Sequence, residues 1–176
     1  PRDILARVAG SLDLLSGGPR DAPPRQRTLR ETIAWSYELL EPAHRALFRR
    51  LGVFVGGCTL DAATAVASPG DGDPVDAITA LAHASLVDVA TGPLGTTRYV
   101  MLDTIRAFAL ERLAAEDDEL AAREAHARHY MTLAEAALPA YDGPELPATN
   151  ARVGAELDNA RAAIAWAYEA GEREIA

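Results

Sequence analysis

The sequence predicts a mainly α fold, and three observations carry that reading. Two helical runs starting at Thr28 and Pro42 lead into Val53-Phe-Val55 and the double glycine Gly56-Gly57; apolar residues cluster on both sides of Thr91-Gly-Pro-Leu-Gly-Thr96 as in a β-hairpin; and most of the chain beyond residue 116 reads as Ala- and Leu-rich helix. Helices that end in a hairpin have the order of a winged helix. The expectation is therefore a winged helix with a two-stranded wing, followed by antiparallel helices of a TPR-like domain.

Ile4, Leu5, Val8, Leu12 and Leu15 recur at helical spacing before Gly17-Gly18, so residues 1–27 read as the tail helix of a preceding helical domain plus a Gly/Pro/Arg-rich connector. The winged helix is expected over 28–115. Thr28 and Glu31 have capping-box spacing, and Leu29, Ile33, Tyr37 and Leu40 line one face of the helix they open, with Trp35 and Leu39 widening it. Pro42 suits the first position of the next helix, where its missing N–H costs nothing. Thr59 is placed to cap a helix of Leu60–Ala67 and Asp73-Pro74 to open another, with Val75, Ile78, Leu81 and Ala82 facing inward. The wing is expected as Leu86–Ala90 against Arg98–Leu102, and Asp103 as the cap of a helix through Leu113. From 116 to 176 the pattern is the start of a helical repeat domain: one helix over about 120–137, a loop, and another over about 149–170. Its larger anchors are Tyr130, Leu133, Leu157, Ile164 and Trp166.

Composition excludes several classes. With 49% apolar and 24% charged residues the chain is neither disordered nor fibrous, and no apolar run approaches the roughly 18 residues of a membrane span. No secretory signal is visible, so a cytoplasmic setting with no membrane contact is the default. Pro1 in place of methionine, and a last residue inside helical sequence, suggest a piece of a longer protein. All 17 basic residues are arginine, so the lysine-bearing phosphate loop G-x-x-x-x-G-K-[ST] is absent from this segment. Residues 1–60 carry +3 and 61–176 carry −12. Arg20, Arg25, Arg27 and Arg30 form a local basic cluster.

No catalytic constellation stands out. Ser36 and Ser85 lack a nucleophile elbow, and His126 and His129, three apart on one helix, lack the further ligands a metal site needs, so no metal site and no independent enzyme is expected. Cys58, the single cysteine, suits a small buried apolar role. Taken as the recognition helix, Leu60–Ala67 has no Arg, Asn or Gln to read bases and carries an acid that phosphate repels, while the wing offers only Arg98. That argues against direct DNA contact by this segment.

Leu14-Leu-Ser-Gly-Gly18, Arg27–Leu40, Leu47–Gly57, Tyr99-Val-Met-Leu-Asp-Thr-Ile-Arg106 and Glu156-Leu-Asp-Asn-Ala-Arg-Ala-Ala-Ile-Ala-Trp166 together resemble the C-terminal part of the nucleotide-binding module of bacterial STAND (NB-ARC-like) ATPases in LuxR-type and SARP-type transcriptional regulators. The resemblance implies a winged helix that closes as a lid over ADP held by an upstream domain of the same chain. It also implies a helical region that senses a small-molecule inducer or docks a protein partner, and ADP or ATP as the parent protein's cofactor. Where such relatives often have Met-His-Asp near the nucleotide, this chain has Met101-Leu102-Asp103, and Leu102 cannot donate to phosphate. Arg25, Arg27 and Arg30 are then the candidates for phosphate contact. A DNA-binding winged helix of a transcription factor and a purely structural interaction module are the alternatives.

Overall fold

The computed structural model describes residues 24–171, except 71, 143 and 145. The tail helix expected before residue 17 lies outside the described residues. Contacts divide the chain into two compact units after Glu38. In the first, α1 (Pro24–Glu38) buries Ile33 and Tyr37 and leaves Leu29 and Trp35 exposed. Thr28 lies inside this helix, where its carbonyl accepts from the Thr32 hydroxyl at 2.9 Å. The expected capping box is therefore not a helix start, because the helix already begins at Pro24.

The second unit opens with α2 (Pro42–Leu51), started by Pro42 as its spacing predicts. A bridge at Cys58 and α3 (Leu60–Val66) follow, then α4 (Pro74–His83). Thr59 accepts from the Ala62 N–H at 3.2 Å and Asp73 from the Val75 N–H at 2.9 Å, so both expected caps form. β1 (Asp88–Thr91) pairs antiparallel with β2 (Thr97–Val100) in the register Asp88 to Val100 and Thr91 to Thr97, and Pro93–Gly95 make the wing tip. Cys58 joins the sheet through a two-way backbone pair with Tyr99 at 2.9 and 2.8 Å. Gly57 permits it: at φ +86 a Cβ there would stand 2.6 Å from the Tyr99 carbonyl oxygen.

α5 (Asp103–Ala115) packs back on α2, as does α4. Leu47, Phe48, Leu81, Leu86, Phe108 and Leu113 are nearly inaccessible, each contributing about 1.5 to 3 kcal/mol of burial. Asp103 does not cap α5; the cap position falls to Leu102, with Asp103 in the first turn. α6 (Glu119–Ala137), α7 (Leu146–Ala155) and α8 (Leu157–Ala170) complete the unit. The single helix expected over 149–170 is broken at Glu156, whose side chain turns into the interior. Ala122, Ala127, Ala163, Ala167 and Asn159 are buried where α6 and α8 pack, whereas Leu157 and Ile164, expected as anchors, are exposed.

Candidate nucleic-acid interface and the junction behind the wing

α3 and α4 are the two successive helices before the wing, the order in which a helix-turn-helix presents its second helix to DNA. By that order the second position falls to α4 and not to Leu60–Ala67, the helix the sequence reading took for it. α3 is the supporting helix, with Ala62, Ala63 and Val66 buried and its packing partner α6. α4 buries Ala77, Ile78 and Leu81 and exposes Val75, Asp76, Thr79 and His83 along one face. Thr79 is exposed and returns its hydroxyl to the Val75 carbonyl at 2.8 Å. Sequence reasoning missed this face because it took Leu60–Ala67 for the second helix.

Arg98, the one arginine the wing offers, points inward. It is buried and ion-paired with Glu156, and it also donates to the Gly57 carbonyl at 3.0 Å. Two further side chains converge there. The Tyr130 hydroxyl donates to Glu156 at 2.9 Å and the Asn159 amide donates to Glu156 at 3.0 Å and to the Gly57 carbonyl at 2.9 Å. The Asn159 carbonyl oxygen accepts from the Val55 N–H at 2.7 Å. Asn159 thus satisfies two backbone groups of the Val55–Gly57 turn, and Glu156 gathers three donors. Burial by itself would raise the Glu156 carboxyl, but the hydrogen bonds from Arg98, Asn159 and Tyr130 and the Arg98 charge hold it below its usual range. For Arg98 burial works downward and is outweighed by the Glu156 hydrogen bond and charge, so its guanidinium sits above its ordinary value.

An aromatic cluster extends the junction. The Phe54 ring meets His126 edge-on at 5.0 Å, and His126 lies 4.8 Å from Tyr130. His126 is buried with Nε2 unpartnered, and burial, reinforced by His129, Arg123 and Arg106, brings its pKa down to about 4. The Cys58 thiol beside the network is pushed up to about 12 by burial, which makes it an inert packing group. A second, half-buried pair ties α2 to the turn before α6: Arg50 donates to Asp118 at 2.6 and 2.5 Å and to the Val66 carbonyl at 2.7 Å. Glu156 and Asn159 stand in the Glu156–Trp166 stretch that carries part of the resemblance, so the signal was in the sequence without its role.

The candidate phosphate contacts do not form a described cluster. Arg30 is exposed on α1, and the side chains of Arg25 and Arg27 lie outside the described residues. Leu102 and Asp103 are exposed at the start of α5, and Met101 and Asp103 border a cavity of about 160 Å³ shared with Phe54, Tyr99 and Arg106. Among the described residues no His, Cys, Asp and Glu gather as metal ligands, and no helix is long and apolar enough to cross a membrane.

Comparison with known proteins adds the following. Residues 40–114 match the family model of a winged helix-turn-helix domain. The chain is 43% identical, over 97% of its own length, to a Mycobacterium tuberculosis protein named "Putative HTH-type transcriptional regulator", and equally so to its Mycobacterium bovis counterpart. It spans only 19% of those relatives. It is also 37% identical, over 70% of its length, to an uncharacterized Mycobacterium tuberculosis protein of which it covers 33%. No solved structure matches it. The family match overturns the expectation that direct DNA contact by this segment is unlikely, since a winged helix-turn-helix domain points to DNA binding. With α2, a bridge at Cys58, α3, α4, a two-stranded wing and α5 in that order, residues 40–114 have the architecture of the winged helix-turn-helix domain whose family model they match.

Proposed function

We propose that this chain is a DNA-contacting regulatory segment of a transcriptional regulator, with α4 as its recognition helix. The observation that carries the reading is the outward row Val75, Thr79 and His83 on the helix that immediately precedes the wing. The Thr79 methyl suits a thymine methyl and the His83 imidazole suits a base-edge acceptor or donor, contacts a major-groove helix uses. The relatives named as regulators support it. Asp76 shares this face and no arginine does, so phosphate contacts contribute little and binding should show a shallow salt slope. Selection of duplexes from a random pool by the 176-residue chain, read by fluorescence anisotropy, tests it. A recurring sequence that Thr79→Ala and His83→Ala bind without discrimination supports the reading; recovery of no preferred sequence removes it.

A nucleotide-dependent lid, with ADP or ATP held by an upstream domain and contacted by Arg25, Arg27 and Arg30, is the second reading. Its support is the resemblance, together with the exposed Leu102-Asp103 turn at the end of the wing, which an upstream domain can reach. Unchanged ADP affinity of a longer parent protein after Arg25→Ala, Arg27→Ala and Arg30→Ala would remove the arginine contacts.

A further inference from the structure

Between the wing and the last helices lies a cavity of about 200 Å³ that the DNA reading leaves unused. Four elements place charge and shape around it. Thr59 caps α3 and so sets Asp61 in the first turn of that helix, while Arg152 stands in the last turn of α7. α6 brings His129 and Leu133, one helical turn apart, to the same space, and the wing adds Leu94. Arg98 and Glu156 also border the cavity but are spent on one another. Asp61 and Arg152 are not. Both are exposed, and neither has a hydrogen bond or ion pair among the described residues. Burial holds the His129 imidazole below its ordinary value against the pull of Glu156 and Asp61, so near pH 7 it is neutral, with one donor and one acceptor.

Asp61 and Arg152 border one cavity without pairing with each other, so a ligand can bridge them. The complement of a free anion, a free cation and an apolar wall is a molecule with the opposite pair of charges on a short hydrocarbon body. An inorganic anion or a simple amine would meet only one of the two charges. Size narrows the choice: the cavity equals the share of about seven waters and lies below the roughly 300 Å³ at which drug-sized pockets begin. We propose that this cavity binds a free aliphatic α-amino acid, with Arg152 on its carboxylate, Asp61 on its ammonium group, and Leu94 and Leu133 against its side chain. The site lies apart from the outward row of α4, and the proposal stands or falls independently of DNA binding.

Isothermal titration of the 176-residue chain with leucine, isoleucine and valine tests it. N-acetyl-leucine, which lacks the ammonium charge, and isoamylamine, which lacks the carboxylate, are the controls. At least one amino acid should bind saturably, and each control about 10-fold or more weaker than leucine. Arg152→Ala and Asp61→Asn should each weaken amino-acid binding by a similar factor, and Asp61→Asn should leave N-acetyl-leucine unaffected. Both altered side chains are exposed, and thermal melts check that the variants fold. Amide shifts of the unaltered chain give a reading free of any variant: with the amino acid they should cluster at residues 93–97 and 129–133. No saturable binding by any of the three amino acids would overturn the proposal, as would binding that both variants leave unchanged. N-acetyl-leucine binding as tightly as leucine would overturn the amino-acid assignment.

Discussion

Arg98 and Glu156, 58 residues apart, form a buried ion pair that fastens the second wing strand to the break between the last two helices. One partner comes from a two-stranded ribbon, which is marginal in isolation, and the other from a residue whose helix-forming neighbours would otherwise continue through it. The pair therefore explains both the fixed wing and the interrupted helix.

Removing one partner should be costly, since it strands a buried charge. Glu156→Ala is expected to lose about 3 to 5 kcal/mol in urea unfolding, and Arg98→Ala a similar amount. The double variant should lose clearly less than the sum of the two, because the second deletion removes the charge the first left unpaired. Full additivity would mean the pair does not couple.

Asn159 fills its amide on both sides, donating to Gly57 and Glu156 and accepting from Val55. Asn159→Leu should destabilise by about 1 to 3 kcal/mol for each backbone group left unpaired. Asn159→Asp should be worse than its near-identical shape suggests, because it sets a second carboxylate against Glu156. Thermal melts of both variants against the parent chain check the order.

Gly56 and Gly57 both have positive φ, but only Gly57 has a neighbour in the way. Gly56→Ala should cost about 1 to 2 kcal/mol of left-handed strain, and Gly57→Ala more, since its Cβ collides with the Tyr99 carbonyl. Equal losses in chemical denaturation would contradict the close approach.

Acid should weaken the fold in a window set by His126. Its folded pKa of about 4 lies below the ordinary 6.5, so the unfolded chain takes up the proton first. The stability this contributes is complete above about pH 6.5 and is lost as pH falls toward 4, by about 3 kcal/mol. Glu156, held low, adds a further loss as pH falls through the carboxylate range. His126→Leu should flatten the decline between pH 6.5 and 4.5 in urea midpoints, and an unchanged slope would place the titration elsewhere.

Much of the architecture was legible because it depends on short-range chemistry. Pro42, Thr59 and Asp73-Pro74 start helices as their spacing predicts, and the Gly-Pro-Leu-Gly loop makes the wing. What was hidden depends on tertiary partners. In the 149–170 stretch only Gly154 speaks against a continuous helix, and Arg98, Tyr130 and Asn159 supply the partners that make the break at Glu156 favourable. Ile164 and Leu157 look like anchors by size, yet the close packing of α6 on α8 selects alanines and leaves the larger residues outside. Thr28–Glu31 imitates a helix start, yet it lies within α1, which begins at Pro24.

The central claim is that α4 is the surface this domain offers to DNA, and amide chemical-shift mapping of the isotopically labelled chain with a selected duplex tests it most directly. The account predicts shifts concentrated at Val75, Asp76, Thr79 and His83, with the buried positions of α2 unmoved. Shifts confined to α6–α8, or none at saturating duplex, would contradict it.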